Sequence, residues 1–169
     1  MEKYAVVRTD NMYGTDIRAG LCSVKFMGED GATPTAIENG SVVKLGALID
    51  GEREIFVGGN VAANDKIEDV VLIASPEVMY DERKKNLDEY INEAGKSCRG
   101  YYLHLAGQKF SVTKKALTGV EAPKKGDIVE LAEGTKLNVV TEATGATVVG
   151  SIIAVEGAGR YTFYVIKTN

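Results

Sequence analysis

Short runs of β-branched and aromatic residues alternate with glycine-containing turns from Ser41 to the end of the chain. The runs SVVKLGALI and REIFV are joined through Asp50-Gly51, a dipeptide typical of hairpin turns. Further runs of this kind are EDVVLIAS, GYYLHLAG, QKFSVT, GDIVEL, TKLNVVTE, ATVVGSIIAVE and GRYTFYVIKT. Short strands with turns about every ten residues predict a mainly β protein, a small β-barrel or a β-sandwich. Gly150, inside one run, predicts a bulge or a barrel corner.

One phrase occurs twice, as AIENGSVVKLG from Ala36 and as APKKGDIVELA from Ala122. In both copies an alanine and three further residues precede a glycine, a small polar residue, two β-branched residues, a charged residue and a leucine. The glycine suits a turn, and the β-branched pair suits the start of a strand. The phrase therefore predicts two equivalent strand starts, in two β layers or in two barrel-like halves.

One segment has the spacing of a short helix. Ser75-Pro76 is a typical N-cap and first-turn pair. Apolar residues then recur at helical spacing, at Leu87, Tyr90, Ile91 and Ala94. Gly95 suits a C-terminal cap. We expect a helical insert around residues 75–100, with the helix strongest in its second half.

Residues 1–35 keep neither a strand nor a helix period for long, apart from the strand-like run LCSVKF. They are interpreted either as an irregular segment packed on its own domain or as an extended arm that lies along a neighbouring subunit. The apolar anchors of such an arm would be Tyr4, Val6, Met12, Tyr13 and Ile17. The predicted organisation is an N-terminal arm at 1–35 and a β-rich domain at 36–169, with two small β subdomains at 36–120 and 121–169 as the alternative.

Composition narrows the range of partners. The 169 residues are 44% hydrophobic and carry 20 basic and 24 acidic side chains, so a nucleic-acid partner, which would require a basic surface, is not expected. The chain has no apolar run of signal-peptide or membrane-span length, so we expect synthesis in a cytoplasm and no membrane partner. In a reducing compartment Cys22 and Cys98 are expected to be free thiols.

The residues that could support catalysis are few and scattered. His104 is the single histidine, and the chain has no G-x-S-x-G motif. Cys22, Cys98 and His104 lack the paired spacing of a zinc site. The glycines of TGATVVG are not followed by a helical pattern, as a phosphate cradle requires. The sequence thus predicts a protein that is not an enzyme and has no cofactor or metal; a hydrolase using His104 or the Glu52/Glu54 pair is the alternative.

A resemblance to a known class comes from longer stretches. The residues that carry this resemblance are AIENGSVVKLGAL…EREIFV…EDVVLIASPEVMYDERKKNLDEYINEAGKSCRGYYLHLAGQKFSVTKKAL, followed by KKGDIVELAEGTKLNV. In these stretches the chain resembles small virion proteins of tailed bacteriophages and prophages of Gram-positive bacteria. ENG-x-VV-x-L also resembles a strand start in phage head-decoration proteins. The similarity covers most of residues 36–140. It implies a decoration, or cement, protein of the virion that binds the outside of the assembled capsid, with the major capsid protein as partner and a homo-oligomer, a trimer, as its form.

In that role the N-terminal arm would add a strand to a capsid edge. The predicted contacts are Tyr4, Val6, Tyr13 and Ile17 as apolar anchors, with Arg8 and Arg18 as charge partners. The length of the chain and its insert leave head-fibre and tail-tube proteins as alternatives. A carbohydrate- or peptide-binding β-domain is another, and its exposed aromatic cluster would come from Tyr101, Tyr102, Tyr161, Phe163 and Tyr164.

Overall fold

A computed structural model describes residues 2–13 and 20–169, with only the backbone of Ala158. The protein is mainly β, as predicted. Its strands are β1 (Leu21–Phe26), β2 (Val42–Leu48), β3 (Ile55–Gly59), β4 (Val70–Ile73), β5 (Cys98–Tyr102), β6 (Lys109–Thr113), β7 (Leu117–Gly119), β8 (Ile128–Glu130), β9 (Leu137–Val140), β10 (Val148–Ala158) and β11 (Tyr161–Thr168). Short 3-10 turns lie at Thr9–Asn11, Ile67–Asp69, Leu87–Glu89 and Lys114–Ala116.

The first five strands form a closed barrel in the order β1-β3-β2-β4-β5. β1 and β3 are parallel, and the other neighbours are antiparallel. The turn predicted at Asp50-Gly51 joins β2 to β3, and Gly51 has the positive φ of +81° that such a turn requires. The barrel interior is filled by Cys22, Val24, Phe26, Ile37, Val43, Val71, Ile73 and Cys98. β1 therefore belongs to the barrel and not to an N-terminal arm.

The last six strands form a curled sheet in the order β6-β11-β10-β8-β9-β7. The predicted irregularity at Gly150 is present, because the register of β10 with β8 shifts between Val148 and Gly150. A Cβ atom at Gly150 would collide with the carbonyl oxygen of Lys167 on β11, so only glycine fits this close approach. Strands on both sides of residue 120 pair in this one sheet.

The two sheets repeat one topology. β7-β9-β8-β10-β11 reproduces β1-β3-β2-β4-β5, with the first pair parallel and the next three antiparallel in each set. β6 pairs with β11 as the first part of β1 pairs with β5, and the turn Lys114–Ala116 leads from β6 directly into β7. The chain thus contains two halves, residues 21–102 and 109–168, built on the same plan.

The repeated phrase occupies equivalent positions in the two halves. Gly40 N–H donates to Ile73 O, and Gly126 N–H donates to Ile152 O, both at 2.8 Å. The carbonyl of the residue after each glycine accepts from the N–H of the same isoleucine, at 2.8 and 2.9 Å. Both glycines have positive φ, +82° and +100°. The prediction of two equivalent strand starts is confirmed.

One hydrophobic core joins the halves. Side chains from the barrel strands pack with side chains from the curled sheet in a single buried cluster that includes Val42, Leu72, Tyr101, Phe110, Val129, Leu137 and Ile166. Val61 and Gly134 form an isolated bridge between the halves, with N–H···O distances of 2.9 and 3.0 Å. The shared core holds the two halves together, because separating them would expose this apolar surface to water.

The helix predicted between Ser75 and Gly95 is wrong. Residues 74–97, called the insert below, connect β4 to β5 and contain only the 3-10 turn Leu87–Glu89. Asn92 exchanges two backbone hydrogen bonds with Ile37, both 3.0 Å, so its N–H and C=O are not available for helical bonds. The apolar spacing of this segment does not produce a buried stripe, since Leu87 is exposed while the polar Asn92 is buried.

Candidate protein-binding surface

The N-terminal segment (residues 2–13) packs on its own chain. Val7 forms an antiparallel bridge with Val112 of β6, and Arg8 N–H donates to Ser111 O at 3.0 Å. The segment thus covers the outer edge of β6 as a short additional strand. Within this chain, these residues pack on their own domain, as in the first of the two interpretations of this segment. An arm along a neighbouring subunit stays a prediction.

Val6 is not available to a partner. Its side chain is 1% exposed and packs in a cluster with Tyr161 and Phe163 of β11. Its N–H donates to the Thr113 hydroxyl at 3.1 Å. Pairing with β6 turns this side chain towards the β10–β11 hairpin, which is why a residue predicted to bind the capsid is part of the core.

The two tyrosines predicted as anchors also contact their own chain. Tyr4 is half-buried, and its N–H donates to Asp88 O in the insert at 3.0 Å. The Tyr13 hydroxyl donates to Tyr102 O at 2.7 Å, and the Tyr13 ring packs edge-on against Tyr101 with centroids 5.6 Å apart. Burial raises the pKa of Tyr13. These contacts leave neither side chain free as an extended anchor.

Of the two predicted charge partners, only Arg8 lies within the described residues; Arg18, like the anchor Ile17, lies outside them. The Arg8 guanidinium donates to both carboxylate oxygens of Asp10, at 2.9 and 2.7 Å. It also lies over the Phe163 ring, 5.7 Å from its centroid. Its charge is therefore already matched within the molecule.

The insert carries most of the exposed large apolar side chains. Five such side chains are found in the described part of the chain, and three of them belong to the insert: Val78 (59% exposed), Tyr80 (92%) and Leu87 (42%). These positions were not predicted from the sequence as contact residues, because VMYDERKKN has no apolar stripe. A different feature of the sequence could have indicated them: apolar residues in a charged segment that has no helical stripe are not expected to be buried.

Two adjoining cavities border the insert. The first, of 500 Å³, lies between the insert and the strands β1 and β5 of the barrel. The second, of 610 Å³, lies within the insert beside Tyr80 and Lys84. Val78, Tyr90 and Ser97 line both cavities. The two cavities thus adjoin at the exposed Val78, and Tyr80 lines the second.

The charges of the insert largely neutralise one another. Arg83 pairs with Asp81 at 2.9 Å, and Lys96 pairs with Glu93 at 2.6 Å. These pairs are exposed and stabilise the fold little. Because the charges are paired, the surface of the insert has little net charge, and the exposed Val78 and Tyr80 are its main apolar features. Such a surface favours a protein partner over a polyanion.

Asp88 fixes the middle of the insert to the rest of the protein. Its side chain is 3% exposed and accepts from the Tyr161 hydroxyl at 2.7 Å, from Lys3 N–H at 3.1 Å and from Arg160 at 3.2 Å. Burial opposes the ionised form, but these donors outweigh it, so the pKa of Asp88 lies below its usual value. One carboxylate thus connects the insert, the N-terminal segment and the β10–β11 hairpin.

Asn39 fixes the beginning of the insert. Its side chain donates to Ser75 O at 2.8 Å and accepts from Ser75 N–H at 3.0 Å, as a paired strand would. Asn92 donates to the same Asn39 oxygen at 3.0 Å, and Arg99 N–H donates to the Ser75 hydroxyl at 3.0 Å. Asn39, Ser75 and Asn92 are all buried. The insert is therefore held in one position at its base, while its apolar side chains face solvent.

The residues considered for catalysis are not brought together into a recognisable site. His104 is exposed in the turn after β5 and packs edge-on against Tyr102, with ring centroids 5.3 Å apart. Cys22 and Cys98 are buried free thiols inside the barrel, and burial raises their pKa values to about 12 and about 11. Glu52 and Glu54 are exposed between β2 and β3. Within residues 2–13 and 20–169, no cluster of three or more His, Cys, Asp or Glu side chains is placed to hold a metal ion.

The aromatic cluster proposed for carbohydrate or peptide binding is not exposed. Tyr101, Tyr161 and Phe163 are 3%, 9% and 2% exposed and belong to the hydrophobic core. Tyr102 and Tyr164 are half-buried. Alternation along β11 places Tyr161, Phe163 and Val165 on one face, and that face is buried.

Comparisons of the chain with protein-family models, with curated proteins and with solved structures found no match. Among the described residues, no helix is both long enough and apolar enough to span a membrane.

Proposed function

We propose that the protein is a non-enzymatic bacteriophage virion protein that decorates the assembled capsid and stabilises it, and that the insert is the surface that contacts the major capsid protein. In this proposal its location is the virion, and neither nucleic acid nor a membrane is a partner. The observation that carries the proposal is the presence of three exposed apolar side chains, Val78, Tyr80 and Leu87, on a firmly held insert.

The comparison of the two halves supports a role for the insert. β4 and β5 are joined by residues 74–97, whereas the equivalent strands β10 and β11 are joined by residues 159–160 alone. A two-residue turn is sufficient to connect these strands, so the fold does not require the insert. A long connection with exposed apolar side chains, added to a scaffold that closes without it, is typical of a binding element.

The way the insert is held also favours binding. Asp88, Asn39 and Asn92 fix its backbone through buried hydrogen bonds. A partner would therefore meet an ordered surface and would not have to order a flexible loop, which reduces the entropy lost on binding. Burial of an exposed valine contributes about 1.5 kcal/mol or more to each contact. Many copies on a closed lattice would add such contacts, which stabilise the assembled shell by mass action.

The test combines particle composition with a binding assay. Mass spectrometry of separated heads and tails establishes whether the protein is present, and co-sedimentation with capsids stripped of it measures binding. We expect stoichiometric amounts in heads. Val78→Asp should weaken rebinding at least about ten-fold, because it places a charge in the apolar contact.

Leu48→Asp is the matched control, because Leu48 is 43% exposed on β2, outside the insert. It should rebind like the wild type. Absence of the protein from particles contradicts the proposal, and presence in tails alone favours the tail-tube alternative. If the protein is in heads but Val78→Asp and Leu48→Asp bind equally well, the insert is not the contact surface.

A further inference from the structure

β10 extends beyond the strand that covers its outer side. β8 pairs with β10 only from Val148 to Ser151, and the preceding loop continues to Ile152, whose N–H donates to Asp127 O at 2.9 Å. Residues 154–158 pair with β11 on their inner side, whereas Ile153 lies at a register shift and has no partner on β11. On the outer side, residues 153–158 have no backbone partner among the described residues. The β10–β11 hairpin thus presents an open strand edge.

The pairing of β6 shows which backbone groups point to this edge. Ser111 and Thr113 make their backbone hydrogen bonds outwards to residues 6–8, each at 3.0 Å. Bonded and non-bonded pairs alternate in an antiparallel ladder, so Val165 and Phe163, opposite these two residues, bond to β10 instead.

The same alternation continues into β10. On β10, Ala154 pairs with Val165 and Glu156 pairs with Phe163. Ala154 and Glu156 therefore direct their N–H and C=O groups inwards, towards β11. Val155 and Gly157 alternate with them and direct theirs outwards. Val155 is 46% exposed, and a Cβ atom added at Gly157 would meet nothing within 4 Å. Another backbone can therefore approach this edge closely.

The geometry points to self-association, in which residues 153–157 of one copy pair antiparallel with the same residues of a second copy about a two-fold axis at Val155. The two Val155 residues then exchange two hydrogen bonds, and each covers the exposed side chain of the other. The pairing region ends where the loop at Ile152 already occupies the edge. A two-fold strand pairing is self-complementary and closes as a dimer.

Charge selects this register. With the axis at Val155, each Glu156 lies opposite Ala154 of the second copy. With the axis one residue further on, two Glu156 carboxylates would face each other directly, which is destabilising. An unrelated strand would have to supply matching residues, whereas a second copy supplies them in the correct order. The dimer does not depend on the capsid proposal, and it differs from the trimer that the phage resemblance implies.

Cysteine cross-linking tests both the edge and the register. Opposed residues in a bonded pair have Cα atoms about 5.5 Å apart, within disulfide range, so Val155→Cys should give a disulfide-linked dimer under mild oxidation. Glu156→Cys is the matched register control: its two copies are about two residues out of line and should link at least ten-fold more slowly. The natural Cys22 and Cys98 do not compete, because they are buried.

Sedimentation equilibrium tests the association without oxidation. We expect a concentration-dependent dimer for the wild type, weakened about ten-fold by Val155→Lys, which places two charges at the axis. Val78→Lys changes a valine elsewhere that is even more exposed, 59% against 46%, and should leave the dimer unchanged. A wild type that stays monomeric up to about 1 mM overturns the inference. So does a trimer, equal cross-linking of both cysteine variants, or a dimer that Val78→Lys abolishes and Val155→Lys does not.

Discussion

Removal of the Asp88 carboxylate is the most informative single perturbation of this fold. Three residues from two separate parts of the chain donate to it: Lys3 in the N-terminal segment, and the adjacent Arg160 and Tyr161 in the β10–β11 hairpin. Asp88 itself belongs to the insert. Replacement by alanine therefore tests whether the insert is part of the cooperative fold or a loop that lies on it.

The expected magnitude follows from the exposure of each donor. The Tyr161 side chain is buried, and a buried hydroxyl without an acceptor costs about 1–3 kcal/mol. Arg160 is 48% exposed and Lys3 is exposed, so water replaces most of what those two donors lose. Asp88→Ala should thus lower the free energy of unfolding by about 2–3 kcal/mol. Asp88→Asn keeps an acceptor for Tyr161 and should cost about 1 kcal/mol.

The effect should depend on pH in one direction. Despite its burial, the pKa of Asp88 lies below its usual 3.8, because Tyr161, Lys3 N–H and Arg160 favour the carboxylate. When the folded-state pKa is below the unfolded value, the ionised group stabilises the fold above the unfolded pKa, and the stabilisation is lost as the pH falls through the folded pKa. The difference between wild type and Asp88→Asn should be full at pH 7 and shrink below about pH 4.

Urea unfolding at pH 7 and at about pH 3.5 measures both effects. Asp81→Asn is the control, because Asp81 is an aspartate of the same insert whose recorded ion pair, with Arg83, is exposed. It should change the free energy of unfolding by less than about 0.5 kcal/mol at pH 7. The reasoning is refuted if Asp88→Ala costs no more than Asp81→Asn, or if the difference between wild type and Asp88→Asn grows as the pH falls.

Three further outcomes are expected. Gly150→Ala should lower the unfolding free energy by about 1–3 kcal/mol in the same assay, because its Cβ meets the Lys167 carbonyl, whereas Gly157→Ala, which enters open space, should change it little; equal effects would contradict this. Asn39→Ala should cost about 1–3 kcal/mol and speed amide exchange in the insert more than in the barrel strands, since it removes both bonds to Ser75. Cys22 and Cys98 should resist a thiol reagent until the protein unfolds, because they are buried with pKa values of about 12 and about 11; rapid labelling in the native state would be the contrary result.

The scaffold could be predicted from local patterns. Alternating β-branched runs mark most of the strands, and Asp50-Gly51 and Gly150 behave as their residue types predict. The repeated phrase gave the equivalence of two strand starts, because a glycine with positive φ followed by two β-branched residues is a local signal. Closure into a barrel and the common topology depend on which strands pair, and that information is not local.

The candidate surface on the insert could not be predicted in the same way. Leu87, Tyr90 and Ile91 have helical spacing, yet the insert takes its conformation from buried polar bonds to distant residues such as Asn39 and Tyr161. The conformation of the N-terminal segment likewise depends on tertiary contacts. Its sequence suits an arm, but the segment pairs with the outer edge of β6 in its own chain.

The spacer residues of the repeated phrase explain why one half can hold the insert and the other cannot. In the first copy Ile37 bridges to Asn92 and Asn39 pairs with Ser75, so both spacers hold the insert. In the second copy Pro123 and Lys125 stand at these positions. A proline lacks the N–H that Ile37 donates to Asn92, so this copy could not hold an insert by the same bridge. The two residues that support the candidate surface are thus among the positions at which the two strand starts differ, and this is expected if the insert, and not the barrel, carries the function.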